Sequence, residues 1–299
     1  MAEPKVTVII PTYNREDLLR LTLASLCTQG IEKKSFEIIV CDDGSSDGTR
    51  ALVENYGESN LRYLYQPNMG FRLAAARNLG IRAARAPICA FIDCGMLAGP
   101  NFVEEHLASH LSRSDSVAVV GSIVGLDQQG FPHDDSDSTA IQSLIEPSNI
   151  ARSIEQLEKA GFGEMRETLF YQRFGGDPQA WPAPWTILWG GNVSVPTTVL
   201  NEVGLFDEAF VGWGGEDMDL GVRLVQHGVA IVVNRDAKAI HYPHSQAMAG
   251  IPFAQQEARR REIRLYIHSK HQRRDTRLAV DHMLVDLNAV LLEEGSDAS

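Results

Sequence analysis

Along residues 1–125, short apolar runs alternate with stretches whose apolar positions recur every three or four residues. Residues 6–11 form an apolar, β-rich run ending at Pro11, and 36–41, 61–65, 88–92 and 117–120 repeat the pattern. Runs this short and uniformly apolar predict strands buried on both faces, as in a parallel sheet. Between them, residues 17–29 place Leu18, Leu21 and Leu26 at helical spacing and stop at Gly30. Helices are likewise expected from about Arg50, over the alanine-rich 73–85, and over 101–111. Strands alternating with helices predict an α/β fold built on a mainly parallel sheet with right-handed crossovers.

In such a sheet, ligands bind beyond the carboxyl ends of the strands. Three polar clusters fall there: Thr12-Tyr13-Asn14-Arg15, the turn-rich loop at 42–49, and Asp93-Cys94-Gly95. Their coincidence points to a nucleotide-type site. Asp42 and Asp43 can accept hydrogen bonds from a uracil-like imide or a ribose hydroxyl, and Thr12 and Tyr13 can flank a base. Arg77 and Arg72 offer planar forks of donors suited to a diphosphate. The plainer reading of Arg77 is an arginine on a helix surface.

Beyond residue 126 the pattern changes. Residues 133–138 read as a solvated loop and 154–174 as a helix interrupted by glycines. This insertion is either a lid or acceptor-binding segment or a plain surface excursion. Trp181, Trp185 and Trp189 then lie within nine residues, beside Gly190-Gly191. Aromatic faces can stack on sugar rings or a base, or fill a core, and at least one of the three is expected in the core. A helix over 197–203 leads to Trp213-Gly214-Gly215-Glu216-Asp217-Met218-Asp219-Leu220. Here three carboxylates within four residues follow a glycine pair and open an amphipathic run. Glycines permit unusual backbone and close approach of a substrate, and a helix start tolerates clustered acids. This stretch is expected to hold a catalytic base. A strand at 229–233 follows. Residues 253–290 read as mostly helical, with no legible chemistry.

Composition narrows the choice of partner. The 299 residues carry a net charge of −12, which argues against a nucleic-acid or anionic-membrane surface. The basic runs Arg259-Arg260-Arg261 and Arg273-Arg274 read as solvated helix faces. Four cysteines show no metal-site spacing, so reduced thiols and a cytoplasmic protein are expected. No signal-peptide pattern is evident, and no apolar stretch approaches the ~20 residues of a membrane span.

Taken together, these motifs resemble the family 2 type of GT-A glycosyltransferase. The strand and loop at 8–15, the loop at 39–49, Asn68-Met69-Gly70, and residues 75–81 are similar to its nucleotide-binding signatures. Residues 190–194 and Gly214-Gly215-Glu216-Asp217 resemble the acceptor-side motifs of chondroitin-polymerase-type and β-1,4-galactosyltransferase-type domains. The resemblance spans about residues 5–245. It implies a GT-A catalytic domain over 1–245, with a nucleotide-sugar half at 1–125 and an acceptor half at 126–245, followed by a helical extension at 246–299. The implied activity is inverting hexosyl transfer from a nucleotide-diphosphate sugar, expected to be a UDP-sugar, to an acceptor hydroxyl. Asp217 would be the general base and Glu216 its helper, with Asp219 structural. Pro11, Thr12, Tyr13, Arg15, Asp42, Asp43, Arg72, Arg77, Asp93 and Asn192 would face the donor. Trp189, Trp213 and Gly215 would face the acceptor.

One departure stands out. Family members usually carry Asp-x-Asp where this chain has Asp93-Cys94-Gly95, and the second Asp commonly binds a divalent metal. His241 lies where related domains place a metal-ligating histidine. Three readings follow: Mn²⁺ or Mg²⁺ held by Asp93, His241 and phosphate oxygens; a diphosphate neutralised by arginines alone; or a non-catalytic nucleotide-sugar binding protein. His244 has no such match and reads as a surface residue. A nucleotidyltransferase would instead want a glycine-rich loop with a following Lys or Arg after the first strand, which Pro11-Thr12-Tyr13-Asn14 is not. The class of acceptor is not written in the sequence.

Overall fold

The computed structural model describes residues 3–126, 135–244 and 252–296. Its eight strands are β1 (Val6–Thr12), β2 (Phe36–Asp42), β3 (Leu61–Tyr65), β4 (Ile88–Ile92), β5 (Met96–Ala98), β6 (Val117–Val124), β7 (Asn192–Pro196) and β8 (Ala230–His241). They make one sheet in the order β3-β2-β1-β4-β7-β6-β8-β5. The first four are mutually parallel. β7 runs antiparallel to β4 and β6, β8 is parallel to β6, and β5 is antiparallel to β8. The expected α/β architecture is therefore present, with the parallel half formed by the strands the apolar runs predicted.

Burial explains those runs. Every residue of β1 and β2 is buried. Successive side chains of a strand point to opposite faces. Accordingly, Ile9 packs with Ala74, Ala76 and Ile81 of the helix Leu73–Ala83. Val8 and Ile10 pack instead with Leu19 and Leu23 of the helix Glu16–Cys27. Each such Leu or Ile taken out of water contributes about 1.5–3 kcal/mol.

The chain departs from expectation after residue 92. Two strands, β5 and β7, were not anticipated, and β8 has 12 residues where five were expected. At Gly121/Ser122 the register jumps from Asn234 to Lys238, so β8 loops out three polar-flanked positions before resuming. The expected loop at 133–138 is helical from Asp135 (Asp135–Ser143), and 133–134 lie outside the described residues. The helix expected at 154–174 is really Ile150–Lys159, then a wide turn at Glu167–Tyr171 running into Gln172–Phe174. Trp181 and Trp185 are core residues.

Three C-terminal helices follow: Phe253–His271, Arg274–Asp281 and Leu284–Ser296. Ile263, Ile267, Leu278, Leu287 and Leu291 join the same core cluster as Trp185 and Leu220. Among the described residues, no helix is long and apolar enough to cross a membrane.

Candidate active site

Strand register gathers the polar clusters. Thr12 pairs with Asp42, and Asp42 with Tyr65. Ile9 pairs with Phe91, which brings Asp93 level with Pro11 at the same sheet edge. Asp42 is fully buried and already served: the Tyr63 hydroxyl donates to it at 2.6 Å and the Ser45 N–H at 2.8 Å. Asp43 accepts from the Gln66 amide at 2.6 Å and the Arg72 N–H at 2.8 Å, with the Arg72 guanidinium at 3.5 Å. Pro11 and Thr12 are buried, and Arg15 is half-buried. Tyr13 stands 43% exposed, its hydroxyl accepting from Asn68 at 2.7 Å.

The centre of the arrangement is Arg77, and its placement corrects the sequence reading. It is neither a surface arginine nor open to a diphosphate, because its side chain is only 1% exposed. Its guanidinium donates at 2.8 Å to Glu216 and at 2.8 Å to Asp93, and it lies 5.2 Å from the Phe206 ring centre. A Cβ on Gly190 would sit 2.7 Å from that guanidinium, so only glycine lets this backbone approach it. The same Gly190 donates its N–H to Asp217 at 3.1 Å, while the Met218 N–H holds the other Asp217 oxygen at 2.8 Å. Residues from 77, 93, 190 and 216–217 thus meet at one point.

Asp217 opens the helix Glu216–Gln226. Burial raises the Asp217 pKa above the usual carboxylate range, against the lowering pull of Arg77 and two backbone N–H groups. Burial and the adjacent Asp217 charge push Glu216 the same way. Arg77 stays charged, because Asp93, Glu216 and Asp217 outweigh the cost of its burial.

Other expected site residues are placed differently. Asn192 does not face a donor. It is fully buried, accepting from His106 at 2.8 Å and donating to the Ser122 and Ala237 carbonyls at 2.9 Å each. Behind it runs a chain that sequence reasoning missed, from His110 through Ser194 to His106. Gly215 is buried, and a Cβ built on it would clash with Ile263 and Phe210. Trp189 is half-buried, and one ring face is occupied by Arg166 at 4.8 Å. Trp213 is 37% exposed. Asp219, read as structural, is fully buried among Arg223, Lys270 and His271. Those last two come from the C-terminal stretch in which no chemistry was legible.

His241 closes β8 beside the loop that follows Asp93, since it pairs with Met96. Its Nδ1 is buried without a hydrogen-bond partner. Burial holds its pKa down to about 4, opposed by the Asp93 charge. Asp93 keeps 41% of its side chain exposed. An uncommitted imidazole nitrogen and an accessible carboxylate fit a divalent cation whose remaining ligands come from a donor. Among the described residues, no three His, Cys, Asp or Glu groups are placed to hold an ion by themselves. His244 corrects its reading as a surface residue: it is half-buried and stacks on His241 at 5.2 Å.

The sequence model described as glycosyl transferase family 2 matches residues 7–165. The chain belongs to that family. A second, described as the N-terminal domain of galactosyltransferase, matches residues 174–245 and so covers Gly190 and the 214–217 stretch. Validoxylamine A glucosyltransferase of Streptomyces hygroscopicus subsp. limoneus is 38% identical over 81% of this chain and 52% of its own. Chondroitin synthase of Escherichia coli is 33% identical over 79% of this chain and 34% of its own. The chain thus spans about half or less of these relatives. Among solved structures, S. aureus TarS 1–349 in complex with UDP-GlcNAc has a TM-score of 0.59 at 21% identity, covering 88% of this chain and 66% of that one. A Pyrobaculum calidifontis mannosyltransferase in complex with GDP-Man and Mn²⁺ also scores 0.59, at 16% identity over 100% and 76%. The fold is that of the GT-A glycosyltransferases.

Proposed function

We propose that this chain transfers a sugar from a nucleotide-diphosphate donor to an acceptor hydroxyl with inversion, and that Asp217 is the general base. The observation that carries this reading is the fixed Asp217 carboxylate. Two backbone N–H groups aim it, at the point where Arg77 ties Glu216 to Asp93. A carboxylate stripped of water is a stronger base than a solvated one. It takes the acceptor proton as the oxygen bonds to the anomeric carbon and the bond to the diphosphate breaks.

Arg77 has a positioning role in this reading. It holds Asp93 on the donor side and Glu216 beside the base. Tyr13, exposed at the sheet edge, would face the nucleoside, with Asp43 holding Arg72 beside it, and Trp213 would face the acceptor. Mn²⁺ or Mg²⁺ bound by Asp93, His241 and the donor's phosphates would neutralise the charge that develops on the leaving diphosphate. The name of the Streptomyces relative makes validoxylamine A the first acceptor to try.

The test is incubation with UDP-, GDP- and dTDP-sugars, with and without Mn²⁺, alongside nucleoside triphosphate plus sugar phosphate. Release of nucleoside diphosphate, by transfer or slow hydrolysis, supports the proposal. Pyrophosphate release would instead make the chain a nucleotidyltransferase. Binding without turnover under every condition would make it a nucleotide-sugar binding protein.

A further inference from the structure

The helix Phe253–His271 lies beyond residue 245, where the second family match ends, yet one of its faces runs along the stretch that opens the helix of Asp217. Arg259, Ile263, Tyr266 and Lys270 recur every three or four residues and so share that face. Arg259 donates to the Val211 carbonyl. The Tyr266 hydroxyl donates to Asp207 at 2.9 Å, and its ring meets Phe210 edge-on with centres 5.2 Å apart. Ile263 and Lys270, with the adjacent His271, bracket the base. Ahead of it, Gly215 caps the helix Glu216–Gln226 with φ +101°, and a Cβ built there would lie 2.5 Å from Ile263 Cγ2. Only glycine accepts both that backbone and that close a neighbour. Behind it, Asp219 is fully buried, with Lys270 Nζ at 2.9 Å and His271 Nε2 at 2.8 Å. A carboxylate only accepts, so His271 Nε2 carries the proton of that bond. With a rise of about 1.5 Å per residue, both anchors lie within about 3 Å of Asp217 along the helix axis.

We propose that the helix Phe253–His271 sets the position of the base, with Ile263, Lys270 and His271 as positioning residues that act on Asp217 through Gly215 and Asp219. The proposal rests on the reading of Asp217 as general base. Of the two backbone N–H groups that hold the Asp217 carboxylate, Met218 lies inside the bracketed turn and Gly190 on a separate loop. If the turn shifts, the Gly190 bond breaks and water reaches the carboxylate. A misplacement of about 1 Å at a reacting group costs on the order of 100-fold in rate. Residues 253–271, which carry no sugar- or nucleotide-binding motif, thereby belong to the catalytic unit.

The experiment compares the full-length wild type with His271→Leu, His271→Gln and Lys270→Met, each well below its melting temperature. Backbone hydrogen exchange is read over 187–191 and 215–220, with 6–12 and 36–42 as reference, and donor turnover and UDP binding are measured on the same proteins. His271→Leu and Lys270→Met should speed exchange over 187–191 and 215–220 by about tenfold and leave the reference strands unchanged. Turnover per folded molecule should fall about 10- to 100-fold with UDP binding at the wild-type level. The acid limb of kcat/KM should move down toward about 4, because burial is what raises Asp217. In His271→Gln the side-chain amide can still donate to Asp219, so this variant should recover what His271→Leu loses. Lys270 is 30% exposed, so Lys270→Met tests the same link even where loss of His271 unfolds the chain. Faster exchange confined to 253–296, or wild-type turnover per folded molecule with an unmoved acid limb, overturns the proposal. So does a His271→Gln no better than His271→Leu. A wild type that turns over no nucleotide sugar, with the exchange changes as expected, removes the transferase reading and leaves the coupling of this helix to the 215–219 turn standing.

Discussion

Arg77→Lys separates the two roles that Arg77 could have. Lysine keeps the positive charge but is a single point donor where arginine has a planar fork. In the structure the fork spans Glu216 and Asp93, each at 2.8 Å, with the side chain 1% exposed. Lysine can serve one of these carboxylates and leaves the other without its charged partner. Loss of one hydrogen bond to a charged group costs about 1.5–3 kcal/mol. At about 2 °C per kcal/mol for a chain of this size, the melting temperature should fall by roughly 3–6 °C. Asp217 and Glu216 should then titrate less normally still, so turnover should drop. UDP binding, which does not involve a buried guanidinium, should stay within about twofold of wild type. Thermal denaturation and a fluorescence titration with UDP check both halves. A variant with wild-type melting temperature but tenfold weaker UDP binding would refute the reasoning, and would return Arg77 to the diphosphate.

Two further predictions follow from the buried charges. The carboxylates at 216 and 217 are both raised, so the acid limb of kcat/KM should lie above the ordinary carboxylate value of about 4. For stability the sign is the reverse of a normal salt-bridged acid. The pair favours the folded state when protonated, below the unfolded pKa, and that contribution is lost as pH rises through the folded value. A pH–rate profile whose acid limb lies at or below about 4 contradicts this. Asp219→Ala should cost about 3 kcal/mol, the low end for breaking a buried ion pair, because Lys270 still reaches Asp207 and Arg223 still donates to the Val203 and Leu205 carbonyls. A melting temperature within 2 °C of wild type would mean that the C-terminal helix does not secure the catalytic one.

Most of the parallel half was legible because each of its strands is apolar on both faces, and such runs stand out between polar loops. β7 was hidden: its five residues follow a tryptophan- and glycine-rich stretch, and Asn192 and Ser194 interrupt its apolar pattern. Those two polar residues are tolerated in the core because the histidines at 106 and 110 satisfy them. β8 was truncated in the reading because Asn234, Arg235, Asp236 and Lys238 cluster at its irregular midpoint.

The carboxylates of the candidate site were visible as a local motif, but their partners were not. Arg77 meets Glu216 across 139 residues, and no local spacing encodes that contact. Gly190 held the missed clue, since a glycine pair before a strand can mark a close approach to a charged group as well as to a substrate. His244 was discounted for want of a matching motif, and its stacking on His241 shows only in the fold.

The measurement that bears most directly on the central claim is turnover by Asp217→Asn, with UDP binding determined on the same sample. The asparagine can still accept one of the two backbone N–H bonds and relieves the repulsion with Glu216, so the variant should fold with an undiminished melting temperature. Loss of the base should reduce donor turnover by about 10²–10⁴-fold, while UDP binding stays at the wild-type level. Near-normal turnover in a folded, UDP-binding Asp217→Asn would remove Asp217 from the mechanism.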